Sequence, residues 1–402
     1  MSVKKILFLG AAPFQVPPIE YALQCGYQVI TSDNCPANPG HRLSHRAYEV
    51  STIDKDHILR IAEEEAVDGI LAYASDISAP TAAYVSEKLN LPSSSYQSVC
   101  DLTDKRLFRG KLNDVGIQPL QFKVFSIRDR AAAISYIENA TLPLVVKPTF
   151  GSGSKGVSVV RAHEESQAAV DLAFKKSITA SIIIESFVKK KGYQICGDGY
   201  VEEGKVVFLE AGDGHFAKSA CVPHGETFPS THHPATIEKL KAKLTQIFQH
   251  LKFDRGVFNM DAILMNDGEP FVLEIGPRSG GNFIPQAIKL KTGINLVEAA
   301  VEGSWNRHYK LNLQSDSPAK EPFVACYMVH SQLRGRFGKV SFSKKIAKNI
   351  VSFSPYLSSN DPVSPFVDGS CAIGNLLMRF DNFEEMKSVM SEMLFHHELE
   401  IV

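Results

Sequence analysis

Along the first hundred residues, short apolar runs alternate with stretches whose apolar positions recur at helical spacing. KKILFLG (4–10), YQVITSD (27–33) and GILAYA (69–74) read as the first, second and third strands. Residues 17–25, 54–66 and 81–89 read as helices. Strands spaced by helices predict a parallel, doubly wound sheet. Helix signals resume at 101–105, where Asp101 or Thr103 is placed to cap. From 119 to 188 the order becomes strand, helix, strand, loop, strand, helix, strand. Residues 193–211 read as two strands about a Glu-Glu-Gly turn. Residues 212–234, crowded with Gly, His and Pro, read as loop, and 236–251 as an amphipathic helix. FNMDAILM (258–265) and PFVLEIG (270–276) follow, joined by Asn266-Asp267-Gly268, the strongest short hairpin signal in the chain. A helix over 293–302 precedes an irregular tail that closes with strand, helix, strand over 373–402.

Within this pattern, LPLVVKPTFGSGSKGVSVV (142–160) carries the most chemistry. A strand bearing Lys147 and Pro148 runs into Gly151, Ser152, Gly153, Ser154, Lys155 and Gly156, and a second strand begins at Val157. Glycines accept positive φ and let backbone N–H groups approach phosphate oxygens closely, so strand, glycine loop and strand suit a flap over a polyphosphate. It is not a Walker A loop, which ends in Gly-Lys-Ser/Thr and opens a helix. The plain alternative is a tight hairpin turn.

The later hairpin carries two acids. Asp261 and Glu274 fall roughly opposite one another across the Asn-Asp-Gly turn, on one face and among apolar neighbours. Like charges side by side are unfavourable unless a cation lies between them, and hard oxygen ligands with open positions suit Mg²⁺, with Mn²⁺ the other candidate. The alternative places one acid in solvent. Immediately beyond, GPRSGGN (276–282) sets Arg278 beside Gly280 and Gly281, an anion-binding loop able to stabilise charge on a transferred phosphoryl group or acyl phosphate. Arg278 and Lys155 are the candidate catalytic cations.

Bulk properties narrow the field. The chain has 402 residues, is 44% hydrophobic and 22% charged, and has a net charge of −1. That is the balance of a soluble globular protein of two to four domains, without the basic footprint of a nucleic-acid binder. No apolar run is long enough to span a bilayer. Seven cysteines without CxxC spacing argue for reduced thiols, a cytoplasmic location and no zinc site. Gly10-Ala11-Ala12-Pro13 after the first strand is not a GxGxxG fingerprint, which argues against dinucleotide binding although Asp33 ends the second strand.

Taken in order, Asp104-Lys105, VVKP with Lys147, GSGSKG, Glu185-Ser186-Phe187-Val188, Asp261, Glu274 and Arg278 resemble the ATP-grasp superfamily. The N-terminal half is most similar to stand-alone proteins like the large subunit of carbamoyl phosphate synthase, and IGPRSGG is similar to L-amino acid ligases. The resemblance implies a mixed α/β and α+β chain. Residues 1–100 would be a Rossmann-like domain. Residues 101–305 would be a two-subdomain ATP-grasp core, with the glycine loop in 101–188 and the metal hairpin in 189–305. Residues 306–402 would form a small C-terminal domain.

The same resemblance implies roles. Lys105 and Lys147 would reach the α- and β-phosphates, and the loop 151–156 would close over the β- and γ-phosphates. Glu185 with the backbone of Ser186, Phe187 and Val188 would line the adenine hinge. Asp261 and Glu274 would hold Mg²⁺, and Arg278 would contact the γ-phosphate and the activated carboxylate. Two positions depart from the family pattern. Gln194 stands where a ribose-binding Glu is usual. Gly276 stands where an Asn commonly follows the second metal-binding Glu, so either a second Mg²⁺ loses a ligand or Asn259 or Asn282 supplies one. His215, Lys218 and His224, with Gly280, Gly281 and Asn282, are the candidate substrate-pocket residues; for the histidines the bland reading is a surface loop. The implied activity is ATP-dependent ligation of a small carboxylate to an amine through an acyl phosphate. Carbamoyl or formyl phosphate chemistry and a non-catalytic nucleotide-binding regulator are the alternatives. The expected partners are small molecules, not nucleic acid or membrane, with room for a homodimer.

Overall fold

The computed structural model describes residues 3–216, 222–314 and 322–402. Near the N-terminus, Lys5–Leu9, Gln28–Ser32, Arg46–Tyr48 and Gly69–Leu71 form a four-stranded parallel sheet. Lys5–Leu9 lies between Gln28–Ser32 and Gly69–Leu71, the usual product of helical crossovers. The short strand Arg46–Tyr48 makes GILAYA the fourth strand, not the third. Only three residues long and largely exposed, it lacks the apolar run that marks a buried strand.

Two helices meet at Asp104. Tyr96–Thr103 ends there and Lys105–Asp114 begins, with the Asp104 carboxylate accepting from the backbone N–H of Arg106 and Leu107. The cap is thus Asp104, not Asp101 or Thr103, because only Asp104 has the extended backbone that puts its side chain over the next turn. An antiparallel sheet follows, ordered Phe122–Ser126, Ser181–Ser186, Leu144–Pro148 and Ser158–Val160, backed by the helices Arg130–Glu138 and Ser166–Lys176. Its core, including Phe125, Ile137, Val146, Val170, Phe174 and Ile184, comes wholly from these elements.

The largest sheet has eight strands. Pro270–Gly276, Arg255–Leu264, Lys191–Glu202, Lys205–Phe216 and Pro223–Phe228 continue without a break into Phe323–Val329, Gly374–Phe380 and Ile350–Pro355 from the tail. The segment 212–234, expected to be loop, therefore contains the end of one strand and all of another. Its Gly, His and Pro residues hide a pairing supplied by Phe323–Val329, about a hundred residues later. The helix Leu296–Trp305 packs on the N-terminal sheet, where Val301 joins Ile6, Phe8 and Val29, and Glu302 accepts from Tyr27 at 2.8 Å. One apolar core runs from Leu7 and Ile30 in the N-terminal sheet to Phe248, Phe258 and Val272 around the large one. Among the described residues no helix is long and apolar enough to cross a membrane.

Candidate active site

The strand Leu144–Pro148 buries Lys147, and the adjacent strand Ser181–Ser186 buries Glu185, which pairs with Val145 and so lies diagonal to Lys147. The Lys147 Nζ and the Glu185 carboxylate are in contact. The other Glu185 oxygen accepts from Arg109 Nε at 3.1 Å, and Arg109 also donates to the carbonyls of Val272 and Leu273 at 3.2 and 2.7 Å. Burial alone would raise the Glu185 carboxyl, but the guanidinium and the ammonium outweigh it and hold it at about 2. Glu185 is thus committed to two cations. Ser186 and Phe187 donate their backbone N–H to Gln121 and Pro143, which fixes the segment at the start of the expected hinge, 185–188. Arg109 was not singled out from sequence. Its spacing of four from Lys105 on one helix is the signal that places both on one face.

Lys105 connects the glycine loop to the hairpin. Its Nζ donates to the Gly151 carbonyl at 3.0 Å and lies 3.6 Å from Glu274 Oε2, while its backbone N–H donates to Thr149. In the glycine loop, Gly151, Gly153, Gly156 and Ser154 all take positive φ. At Gly156 a Cβ would also lie 2.8 Å from Lys176 Cβ, so both space and conformation require glycine. Lys155 is exposed at the loop tip.

Asp261 and Glu274 are register partners on the hairpin Arg255–Leu264 and Pro270–Gly276, despite a bulge at Asp261/Ala262. Asp261 is half-buried and accepts from Gln194 Nε2 at 2.7 Å; the Glu274 side chain is about half exposed. Burial and then the Glu274 charge push Asp261 up to about 7. Two facing carboxylates with one held this high suit a divalent cation. Gln194, expected at the ribose position, donates to the Asp261 carboxylate.

Arg278 is held on several sides. Nε and Nη2 donate to the two oxygens of Asp76 at 2.8 and 2.5 Å, and Nη1 donates to Asn259 Oδ1 at 3.1 Å and the Ser279 carbonyl at 2.9 Å. Asn259 Nδ2 donates in turn to Asp198 Oδ1 at 2.9 Å, and the Gly280 N–H donates to Asp198 Oδ2 at 2.6 Å. The Gly280 amide, expected to bind an anion, is therefore committed to Asp198: a fully buried carboxylate accepts any donor within reach. Even with these donors, burial keeps Asp198 at about 6. Asn282 takes positive φ and hydrogen-bonds Glu226, which is buried beside the Cys326 thiol and pushed by burial to about 7. His215 contacts Thr227 Oγ1 at 3.0 Å, and its ring neighbours those of Tyr193 and His224. Burial, with His330 and His215 nearby, lowers His224 to about 4. Lys218 lies outside the described residues.

Residues 140–286 match the ATP-grasp domain model. The chain carries an ATP-grasp domain. That domain contains Lys147, the glycine loop, the hairpin acids and Arg278, whereas Lys105 and Asp76 precede it. Over 323 residues the chain is 23% identical to the arginine-specific carbamoyl phosphate synthase large chain of Bacillus subtilis, covering 73% of this chain and 30% of that protein. It thus spans about 30% of the length of the carbamoyl phosphate synthase large chains it matches. Formate-dependent phosphoribosylglycinamide formyltransferase of Wolinella succinogenes is 25% identical over 281 residues, covering 68% of this chain and 70% of that one. Among solved structures, L-amino acid ligase from Bacillus licheniformis superposes with a TM-score of 0.82 at 19% identity. Phosphoribosylglycinamide synthetase from Anaerococcus prevotii gives 0.77 at 18%. Both alignments cover 100% of either chain. The α/β architecture around the ATP-grasp domain is therefore shared along the whole chain.

Proposed function

We propose that the chain is an ATP-dependent ligase that activates a small carboxylate, such as an amino acid, as an acyl phosphate and joins it to an amine. The observation that carries this reading is Lys105: one ammonium touches the glycine-loop carbonyl of Gly151 and faces Glu274 of the acid pair. Phosphate-binding and metal-binding groups thus share one cleft. Lys105 and Lys147 place positive charge along the polyphosphate, and the 151–156 loop covers it. Asp261 and Glu274 would hold Mg²⁺, which would supply positive charge to neutralise the phosphoryl oxygens during transfer. Arg278 meets the carboxylate as it acquires the phosphoryl group. A carboxylate oxygen bonds to the γ-phosphorus while the bond from that phosphorus to the β–γ bridging oxygen breaks, its electrons leaving with ADP. The amine nitrogen then attacks the carbonyl carbon, phosphate departs with the C–O electrons, and the nitrogen loses a proton to solvent.

Incubation with ¹⁸O-labelled carboxylate is expected to move one label into inorganic phosphate. Release of AMP and pyrophosphate would overturn the reading, because it would mean adenylation. The names of the relatives favour a second reading, in which the activated acid has one carbon. ADP release that depends on bicarbonate or formate, and on no amino acid, would select it.

A further inference from the structure

We propose that Asp76 is the positioning residue for Arg278, and that residue 276 is glycine because this ion pair fills the space a side chain would need. The proposal rests on the reading of Arg278 as the cation that meets the transferred anion.

Asp76 is 202 residues from Arg278 in sequence and sits just past the strand Gly69–Leu71. That is the carboxyl rim of a parallel sheet, where such sheets present ligand-handling groups. The contact is bidentate and mostly buried, with side-chain exposures of 11% for Arg278 and 14% for Asp76. A Cβ on residue 276 would lie 2.6 Å from Asp76 Oδ1 and 2.8 Å from Arg278 Cζ. Gly276 does not have positive φ, so space and not backbone conformation calls for glycine here. The position where the family pattern has an Asn is thus emptied, and a carboxylate from the N-terminal sheet occupies the volume.

The chemical consequence follows from the other charges. Arg278 feels the Asp198 and Glu274 carboxylates as well as Asp76. A guanidinium released by Asp76 would be drawn toward these two carboxylates, one of them in the acid pair. Held in the fork of Asp76, it keeps a fixed plane. Four of its five N–H groups are used by Asp76, Asn259 and Ser279, and the remaining Nη2 hydrogen is the one that can meet an incoming anion. Asp76 itself touches neither nucleotide nor substrate in this scheme. It acts through Arg278.

The test is equilibrium binding of inorganic phosphate to the full chain saturated with MgADP, a product-like complex that needs no identified substrate. Arg278→Ala is expected to weaken phosphate binding, and Asp76→Asn to weaken it about tenfold while MgADP affinity stays within about twofold. In the Arg278→Ala background, Asp76→Asn should cost nothing further, since its effect runs through the arginine. Gly276→Ala, which crowds the pair from the other side, should reproduce the phosphate defect and supplies the same test should Asp76→Asn fail to fold. Full phosphate affinity in both Asp76→Asn and Gly276→Ala, or an undiminished Asp76 effect without the arginine, overturns the positioning role alone. If Arg278→Ala itself leaves phosphate binding intact, the reading of the anion site is wrong and the role of Asp76 goes with it.

Discussion

The two ends of the cleft follow opposite electrostatic plans. At the proposed nucleotide end the buried charges have fixed partners: Lys147 and Arg109 share Glu185, which stays ionised to about pH 2. At the carboxylate end, Asp198 is held at about 6 and both Glu226 and Asp261 at about 7, while Arg278 is already bound to Asp76. The first arrangement is finished in the free protein and ties the glycine-loop sheet to the hairpin strand through the carbonyls of Val272 and Leu273. The second is finished only when protons or cations are supplied. Fixed charge pairs thus hold the frame, and the strained acids lie where the proposed function puts its ligands.

The sharpest way to break this contrast is to remove the shared anion. Glu185→Ala leaves two buried cations without their carboxylate and is expected to cost on the order of 3–5 kcal/mol, read as a lower urea midpoint. An unchanged midpoint would mean the nucleotide end is no tie at all.

A smaller effect should come from pH. Glu185 is depressed, so its stabilising share is present above the ordinary carboxylate range and fades as pH falls toward about 2. Asp198 and Glu226 are raised, so their share is complete below the ordinary carboxylate range and is lost as pH rises through about 6 to 7. Taken alone, these three carboxylates should therefore raise Tm from about pH 2 to 4 and lower it from about pH 4 to 7. His224, lowered to about 4, works the other way over part of that range, so the fall is read against the double variant Asp198→Asn/Glu226→Gln, in which it should flatten. Calorimetry from about pH 3 to 8 checks this. The same pH dependence of Tm in the double variant as in the parent would show that Asp198 and Glu226 carry no such strain.

The smallest effect belongs to the loop between the two ends. Gly156→Ala forces a positive φ on alanine and pushes against Lys176, a cost of about 1–3 kcal/mol. Much of that cost should fall on the closed loop, so ATP turnover is expected to drop more than Tm. Unaltered turnover would reduce the loop to a simple turn.

How much of this was legible depended on sequence separation. The hairpin could be read because its turn and alternation lie within twenty residues, and Asp261 does pair with Glu274. The N-terminal alternation gave the parallel sheet apart from Arg46–Tyr48, which is too short and exposed to carry an apolar signature. The strand Pro223–Phe228 could not be read, since one of its two pairings comes from residues 323–329 and its own composition argues for loop. Asp76 was equally invisible. Its meaning comes from a guanidinium 202 residues away, and local context shows only an acid in a turn. The commitment of the Gly280 amide to Asp198 required the position of a strand that alternation cannot place at that resolution.

The distribution of apolar cores has a mechanical consequence. The N-terminal sheet and the large sheet share one continuous core and the helix Leu296–Trp305, so turning one against the other would tear buried surface open. The glycine-loop sheet has a core drawn only from its own strands and helices. It can swing as a single stiff jaw without opening that interior. Lys105 on Gly151 and Arg109 on Glu185 join it to the rest of the chain and limit how far such a jaw could turn.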